Sequence, residues 1–244
     1  MREAVDLIIP AKDEAEMMPA VLAALPAGWF RRVVVADNGS RDGTGTLARE
    51  GGAVVVSAPT GGYGAACLAG LAWLQRQPEP PAAVAFLDAD LSDDPAELPG
   101  LIRPVLAGEA DLAIGCRAPA ERGALEPHQR MGNALACGLI RLTTGVRFAD
   151  LGPMRVVSWP ALQRLAMADR TWGWTVEMQF KAARLGLAVH ERTVPYRQRV
   201  AGRSKIAGSA LGSLRAGGRI IATIARLWWQ TRGTGRRGDD ERTA

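Results

Sequence analysis

Three short segments place carboxylates where an apolar run ends. Residues 5–9 lead into Pro10-Ala11-Lys12-Asp13-Glu14, and residues 32–36 into Asp37-Asn38-Gly39-Ser40-Arg41-Asp42-Gly43-Thr44. Residues 83–87 lead into Asp88-Ala89-Asp90, the sharpest of the three. In an extended segment the side chains of Asp88 and Asp90 point to the same side. Two carboxylates so placed suit a hard divalent cation, Mg2+ or Mn2+, which keeps some water and binds substrate phosphates at its other positions. Such a cation would neutralise charge developing on a leaving diphosphate. A solvated acidic turn needs the same residues, and Glu14, Asp37 and Asp42 would also serve as turn formers or helix N-caps. Three such ends in register favour a shared ligand edge.

The elements that would hold them alternate regularly. Residues 5–9, 32–36, 53–57, 84–87 and 112–116 are near-continuous in Val, Ile, Leu and Ala. Unbroken apolar runs suit strands buried on both faces of a parallel sheet. Helical spacing lies between them, around 14–25, 43–50, 62–76 and 95–106. The order βαβαβαβαβ predicts an α/β domain with ligands at the carboxyl ends of its strands. Without an internal repeat or long linker, residues 1–231 are expected to form one domain. The tail 232–244 offers almost nothing to bury and is expected to be disordered.

Gly61-Gly62-Tyr63-Gly64 follows the third strand rather than the first. Cys67 stands where a dinucleotide fingerprint needs its last glycine, and no Gly-Lys-Ser/Thr follows, which argues against a Rossmann cofactor site or a P-loop. The segment is left as a loop bringing backbone close to a nucleotide, or as a simple tight turn.

IIPAKDEAE, VVVADNGSRDGT, GGYGAACLAG and FLDADLSDDP, in this order, resemble a family 2 glycosyltransferase with the GT-A fold. Arg117, Gln129-Arg130-Met131-Gly132-Asn133, Asp150-Leu151-Gly152-Pro153-Met154-Arg155 and Gly202-Arg203-Ser204-Lys205 resemble its dolichol-phosphate mannose synthase-like branch. The resemblance spans roughly residues 5–225. It implies a nucleotide pocket lined by Pro10, Ala11 and Glu14, with Asp37 at the base. It implies that Asp88, Ala89 and Asp90 meet the diphosphate of a nucleotide-sugar donor, with Asp88 and Asp90 on the metal. It implies that Arg117, Arg130, Asn133, Arg203, Ser204 and Lys205 meet an acceptor phosphate, with Asp90, Arg117 and Arg130 closest to the chemistry. Lys12 and Asn38 depart from the usual pattern at the first two motifs.

A hydroxyl acceptor usually needs a general base, whereas a phosphate monoester is already mostly anionic near neutrality. A phosphate needs cations instead, and the second half supplies Arg117, Arg130, Arg155, Arg203 and Lys205. Arginine matches phosphate oxygens with a planar fork and lysine adds a point charge. Asp150 or Glu177 would serve as the base if the acceptor were a hydroxyl. Glu177 equally suits a helix-start acid held by dipole and caps. His128 and His190 lack metal-ligand spacing and are read as structural.

The chain has 244 residues, 48% hydrophobic and 23% charged, long enough for a sizeable core. No run approaches the roughly 18 apolar residues of a bilayer span, and the N-terminus meets charge too early for a signal peptide. Cys67, Cys116 and Cys137 form no CxxC pair, which fits a reducing cytosol. The net charge of +5 is unevenly spread. From Arg197 onward there are 11 basic and 3 acidic residues, against 19 and 22 in the preceding 196. Such an end suits an anionic partner. An aromatic content of 5%, without a nucleic-acid-binding signature, argues against DNA or RNA.

Residues 208–229 are amphipathic, with Arg215, Arg219 and Arg226 on one stripe and Ile220, Ile224, Leu227 and Trp228 opposite. The apolar face would pack on the sheet, or the helix would lie on an anionic membrane surface with Trp228 and Trp229 at the interface. With these features the resemblance implies a metal-dependent inverting transferase acting on a polyprenyl phosphate at the cytosolic membrane face. A soluble hydroxyl acceptor, a nucleotide-binding module without catalysis and a nucleotidyltransferase are the alternatives.

Overall fold

Seven strands form one sheet in the order β3-β2-β1-β4-β6-β5-β7 in a computed structural model that describes residues 4–58, 61–121, 123–198 and 210–231. The four at one side are β1 (Val5–Ala11), β2 (Arg32–Asp37), β3 (Val54–Ser57) and β4 (Ala83–Phe86), all mutually parallel. Every residue of β1 and β4 is buried, as their apolar runs require, with Asp6 the one charge among them. β6 (Arg155–Ser158) runs antiparallel between β4 and β5 (Leu112–Pro119), and β7 (Val189–Tyr196) pairs parallel with β5 at the edge. Six of the seven strands therefore point the same way. Their carboxyl ends gather Ala11, Asp37, Asp88, Arg117 and Tyr196 along one rim, and β6 enters the sheet at that same rim.

The α/β architecture expected from the alternation is the one observed, with a mostly parallel sheet covered on both faces. One core packs Ile8, Val34, Phe86 and Ile114 under α3 (Tyr63–Gln75), α5 (Pro127–Thr144), α6 (Trp159–Leu165) and α7 (Trp174–Arg184). The other packs Leu7, Ile9, Val35 and Ala85 under α1 (Met18–Ala23), α2 (Thr44–Glu50) and α4 (Leu98–Leu106). A last helix, α8 (Ala210–Thr231), lies against α5 and α7. The charged tail 232–244 lies outside the described residues.

One buried charge belongs to the opposite rim. Asp6, fully buried on β1, accepts a two-pronged bond from Arg31 (3.1 and 2.8 Å) and a third from Arg32 (3.2 Å). A carboxylate so deep in an apolar strand is tolerated because cations satisfy both oxygens.

Two expectations need correction. The helix read over 14–25 is only α1, because residues 13–15 turn aside to bond the loop after β2. The apolar stripe of α8 does not pack on the sheet: Ile224 and Leu227 are buried among helices α5 and α7.

Candidate active site

At the rim, the loops after β1 and β2 lock each other. Asp13 takes a left-handed backbone (φ 49°), its amide donating to Ser40 Oγ (2.9 Å) while its carboxylate accepts from the Arg41 amide (2.9 Å). The Glu14 amide donates to Thr44 Oγ1 (2.9 Å) and the Ala15 amide to Asp42 Oδ2 (3.0 Å). Burial works to raise the Asp42 carboxyl, but bonds from the Thr44 hydroxyl and from the amides of Ala15 and Thr44 outweigh it and hold it below the ordinary range. Asp37 accepts from the Ser40 amide (2.8 Å) at the floor of the loop. Pro10, Ala11, Glu14 and Asp37 are thus set on one rigid double loop. Lys12 projects from it, exposed.

The neighbouring strand end carries Asp88-Ala89-Asp90. Leu91 sits at φ 56°, a conformation that L side chains rarely adopt. This sharp turn brings the Ser92 amide onto Asp90 Oδ1 (2.9 Å), leaving Asp90 5% exposed. Asp88 is half-buried with Oδ1 shut off from solvent, and its carboxylate lies within reach of the buried Tyr63 hydroxyl. Burial first, then the Asp88 charge, push the Tyr63 phenol well above its ordinary pKa.

Sequence reasoning passed over Asp93. It is 1% exposed, neither carboxylate oxygen has a hydrogen-bond partner among the described residues, and its backbone bridges to Tyr196. Burial, then the Asp88 charge, push its pKa well above the usual range. The signal was the doubled Asp93-Asp94 three residues beyond Asp90. Only Asp94 explains itself, capping the turn at Ala96 (3.0 Å) and pairing with Arg197 (3.4 Å).

Across the rim stands Arg117, at the end of β5 and over the Tyr196 ring (5.4 Å). Its guanidinium fork grips Asp150, which is why both are largely buried. Burial would raise the Asp150 carboxyl, but Arg117 outweighs it and holds it below the carboxylate range. The 150–152 turn is braced further. Asn133 Oδ1 accepts from the Leu151 amide (2.8 Å), and Gln179 donates to the Asp150 carbonyl (2.9 Å).

Three expectations change here. Arg155 is not an acceptor-facing cation: it is fully buried, bonded to the carbonyls of Gly152 and Leu151 and to Gln179. Burial pulls its pKa down to about 10. Glu177 does not face the rim as a base, because its carboxylate is 1% exposed and accepts from the amides of Ala168 (3.1 Å) and Asp169 (2.7 Å) and from Lys181 (2.8 Å). Asp150, held as the partner of Arg117, is likewise a poor proton acceptor. Arg130 is exposed on α5, one turn before Asn133. Arg203, Ser204 and Lys205 lie outside the described residues, as do the side chains of Arg215 and Arg219.

A double loop, two carboxylates at a strand end and the Arg117–Asp150 wall define the rim. The model of glycosyl transferase family 2 matches residues 6–167, which span all of these elements up to the end of α6. The chain belongs to that family. An uncharacterised glycosyltransferase of Mycobacterium tuberculosis is 38% identical over 214 residues, covering 88% of this chain and 94% of that protein. The undecaprenyl-phosphate mannosyltransferase of Micrococcus luteus is 32% identical over 84% of this chain and 88% of its own. The polyprenol monophosphomannose synthase of Mycolicibacterium smegmatis is 30% identical over 83% and 81%. Among solved structures, the glucosyl-3-phosphoglycerate synthase of M. tuberculosis, in complex with Mn2+, UDP and glucosyl-3-phosphoglycerate, superposes with a TM-score of 0.69. That match is 24% identical and covers 92% of this chain and 79% of the other. The fold is thus the GT-A fold of this glycosyltransferase family, and the chain is a hexosyltransferase.

The glycosyltransferase also presents an unusual outer face. Met131 (68%), Leu135 (39%), Leu142 (81%) and Val146 (37%) are exposed along one stripe of α5 and its end, and α8 adds Ile221 and Trp229. Arg130, Arg141 and Arg147 are exposed around the stripe, and residues 127–149 contain no acidic side chain. No helix among the described residues is long and apolar enough to cross a membrane.

Proposed function

We propose that the enzyme transfers a hexosyl group, with inversion, from a nucleoside-diphosphate sugar of the GDP-mannose or UDP-glucose type to a polyprenyl phosphate at a membrane surface. The exposed face of α5 carries the reading. A soluble protein rarely leaves such apolar side chains together in water, and arginines on a segment with no acidic residue of its own suit anionic lipid headgroups. From its opposite face the same helix supplies Asn133 to the 150–152 turn, so the helix that carries the stripe also braces the rim where the acceptor would arrive. The named relatives that act on polyprenyl phosphates support the choice. The Trp228–Trp229 interface expected from the sequence is reduced to Trp229 (70% exposed), since Trp228 is partly packed.

The donor set fits Mg2+ or Mn2+. No group of three His, Cys, Asp or Glu side chains among the described residues forms a complete cage. Asp88 and Asp90 offer two hard oxygen ligands at one strand end, leaving positions for diphosphate oxygens and water, as such ions prefer. Bound there, the ion would offset charge on the departing diphosphate. The double loop of Pro10, Ala11, Glu14 and Asp37 would hold the nucleotide. An acceptor phosphate oxygen then attacks the anomeric carbon, and the bond from that carbon to the donor phosphate breaks with its electron pair on the nucleoside diphosphate. No proton needs removing, which accords with a rim where Asp150 and Glu177 are both engaged. Arg130 and the Arg203-Ser204-Lys205 segment would hold the acceptor, while Arg117 shapes the wall through Asp150.

A soluble phosphorylated acceptor is the second reading, favoured by the structures of glucosyl-3-phosphoglycerate synthase with phosphoglyceric acid. Radiolabelled GDP-mannose and UDP-glucose, each offered with undecaprenyl phosphate in anionic vesicles or with 3-phosphoglycerate, separate the two. Labelled lipid is expected. Label on phosphoglycerate alone would overturn the lipid reading.

A further inference from the structure

The Gly-rich turn ahead of α3 is zipped onto the loop before α7. The amides of Gly62 and Ala65 donate to the Arg170 carbonyl (2.9 Å each), and the Gly64 amide to the Thr171 carbonyl (3.0 Å). Gly64 lies so close to the Asp169 carbonyl that no side chain fits there. That loop is itself held from behind. Glu177 binds the amides of Ala168 and Asp169, and Asp169 accepts from the Thr171 amide (2.7 Å) and from Arg226 of α8 (3.3 Å). Within this scaffold the Tyr63 ring stacks on Trp172, with 6.2 Å between centroids and 28° between planes.

A phenylalanine would stack equally well, so the ring contact leaves the hydroxyl unexplained. A hydroxyl taken out of water costs free energy unless it finds a partner. The carboxylate within its reach is that of Asp88, whose Oδ1 is likewise shut off from solvent. We propose that Tyr63 is a positioning residue: its hydroxyl donates to Asp88 Oδ1 and turns the other oxygen toward the rim alongside Asp90. The Gly-rich segment thus serves the carboxylate pair rather than acting only as a tight turn. This role rests on the reading of Asp88 as a metal ligand.

Manganese binding tests it without turnover. Mn2+ is titrated into the full chain and free ion is followed by its EPR signal, for wild type, Tyr63→Phe and Asp88→Asn, with apo melting temperatures in parallel. Tyr63→Phe is expected to weaken Mn2+ binding roughly three- to tenfold, the scale of one net hydrogen bond, with only a small drop in melting temperature. Asp88→Asn should abolish binding. Loss in Asp88→Asn with wild-type affinity in Tyr63→Phe would overturn the positioning role alone. Wild-type affinity in Asp88→Asn would overturn the metal reading and the positioning role together. A weakened Tyr63→Phe that also melts markedly lower would overturn the role in favour of a packing one.

Discussion

Arg117 and Asp150 stand 33 positions apart in the chain and meet through three hydrogen bonds. The Arg117 amide and Nε donate to Asp150 Oδ2 (2.9 and 2.8 Å), and Nη2 donates to Oδ1 (2.8 Å). The pair ties the end of β5 to the turn that starts β6, and so fixes the wall opposite Asp88 and Asp90. The side chains are only 14% and 9% exposed, so removing one partner strands a buried charge. Asp150→Asn is expected to cost about 3–5 kcal/mol by urea denaturation and to lower transfer by at least tenfold. Because Asp150 titrates below its ordinary value when folded, its contribution is complete above the unfolded value near ~3.9. It disappears as pH falls through the lower folded value. The stability gap between wild type and Asp150→Asn should therefore be flat from pH 5 to 8 and close only in stronger acid. A gap that closes near neutrality would contradict the assignment.

Glu177 separates a brace from a base. A general base contributes typically about 10²–10⁴-fold, whereas a brace acts through stability. Glu177→Gln keeps its shape but loses the charge that binds two amides and Lys181. The expected result is a lower melting temperature with transfer at 20 °C within about fivefold of wild type, an allowance well short of the loss of a base. A hundredfold loss at an unchanged melting temperature would restore Glu177 as the base.

Much of this was legible in the residues. Apolar runs announce themselves by composition, so β1 to β5 and the rim carboxylates are legible without the fold. β6 could not: four residues, Arg155–Ser158, give no periodicity, and their first member is a cation that reads as surface. β7 failed for the opposite reason, since its exposed edge face breaks the apolar run. The same ambiguity put Arg155 among the phosphate-facing cations. Only tertiary contact shows its guanidinium buried among carbonyls. Asp93 was legible as an acid and illegible as a buried one.

The carboxylate pair makes a sharper demand. Asp90→Asn removes one hard ligand while keeping the bond from the Ser92 amide, since the amide oxygen accepts equally. Transfer should fall at least a thousandfold, as expected when a bound ion no longer offsets leaving-group charge. Thermal shifts with UDP or GDP should lose their Mn2+ dependence while some nucleotide binding remains, because the double loop of Glu14 and Asp37 is untouched. Undiminished transfer by Asp90→Asn would sink the metal assignment.

The outer face of α5 decides where the reaction occurs. Met131 and Leu142 stand a little more than three turns apart on one stripe, and neither contributes to the cores beneath the helix. Replacing both with glutamate should leave folding intact, since surface substitutions away from packed features usually change stability by only about ±0.5 kcal/mol. It should nevertheless repel anionic lipid, because two acids now sit among Arg130, Arg141 and Arg147. Co-sedimentation with vesicles containing phosphatidylglycerol is expected for wild type, weakened by added salt as exposed charge contacts require, and lost in the double variant. Transfer to undecaprenyl phosphate in those vesicles should drop in parallel, while transfer to a short-chain, water-soluble polyprenyl phosphate should not. If both acceptors suffer equally, the stripe acts on the site itself. If wild type ignores vesicles and its sedimentation shows a dimer that the glutamates split, this face meets a second copy of the chain instead of a membrane.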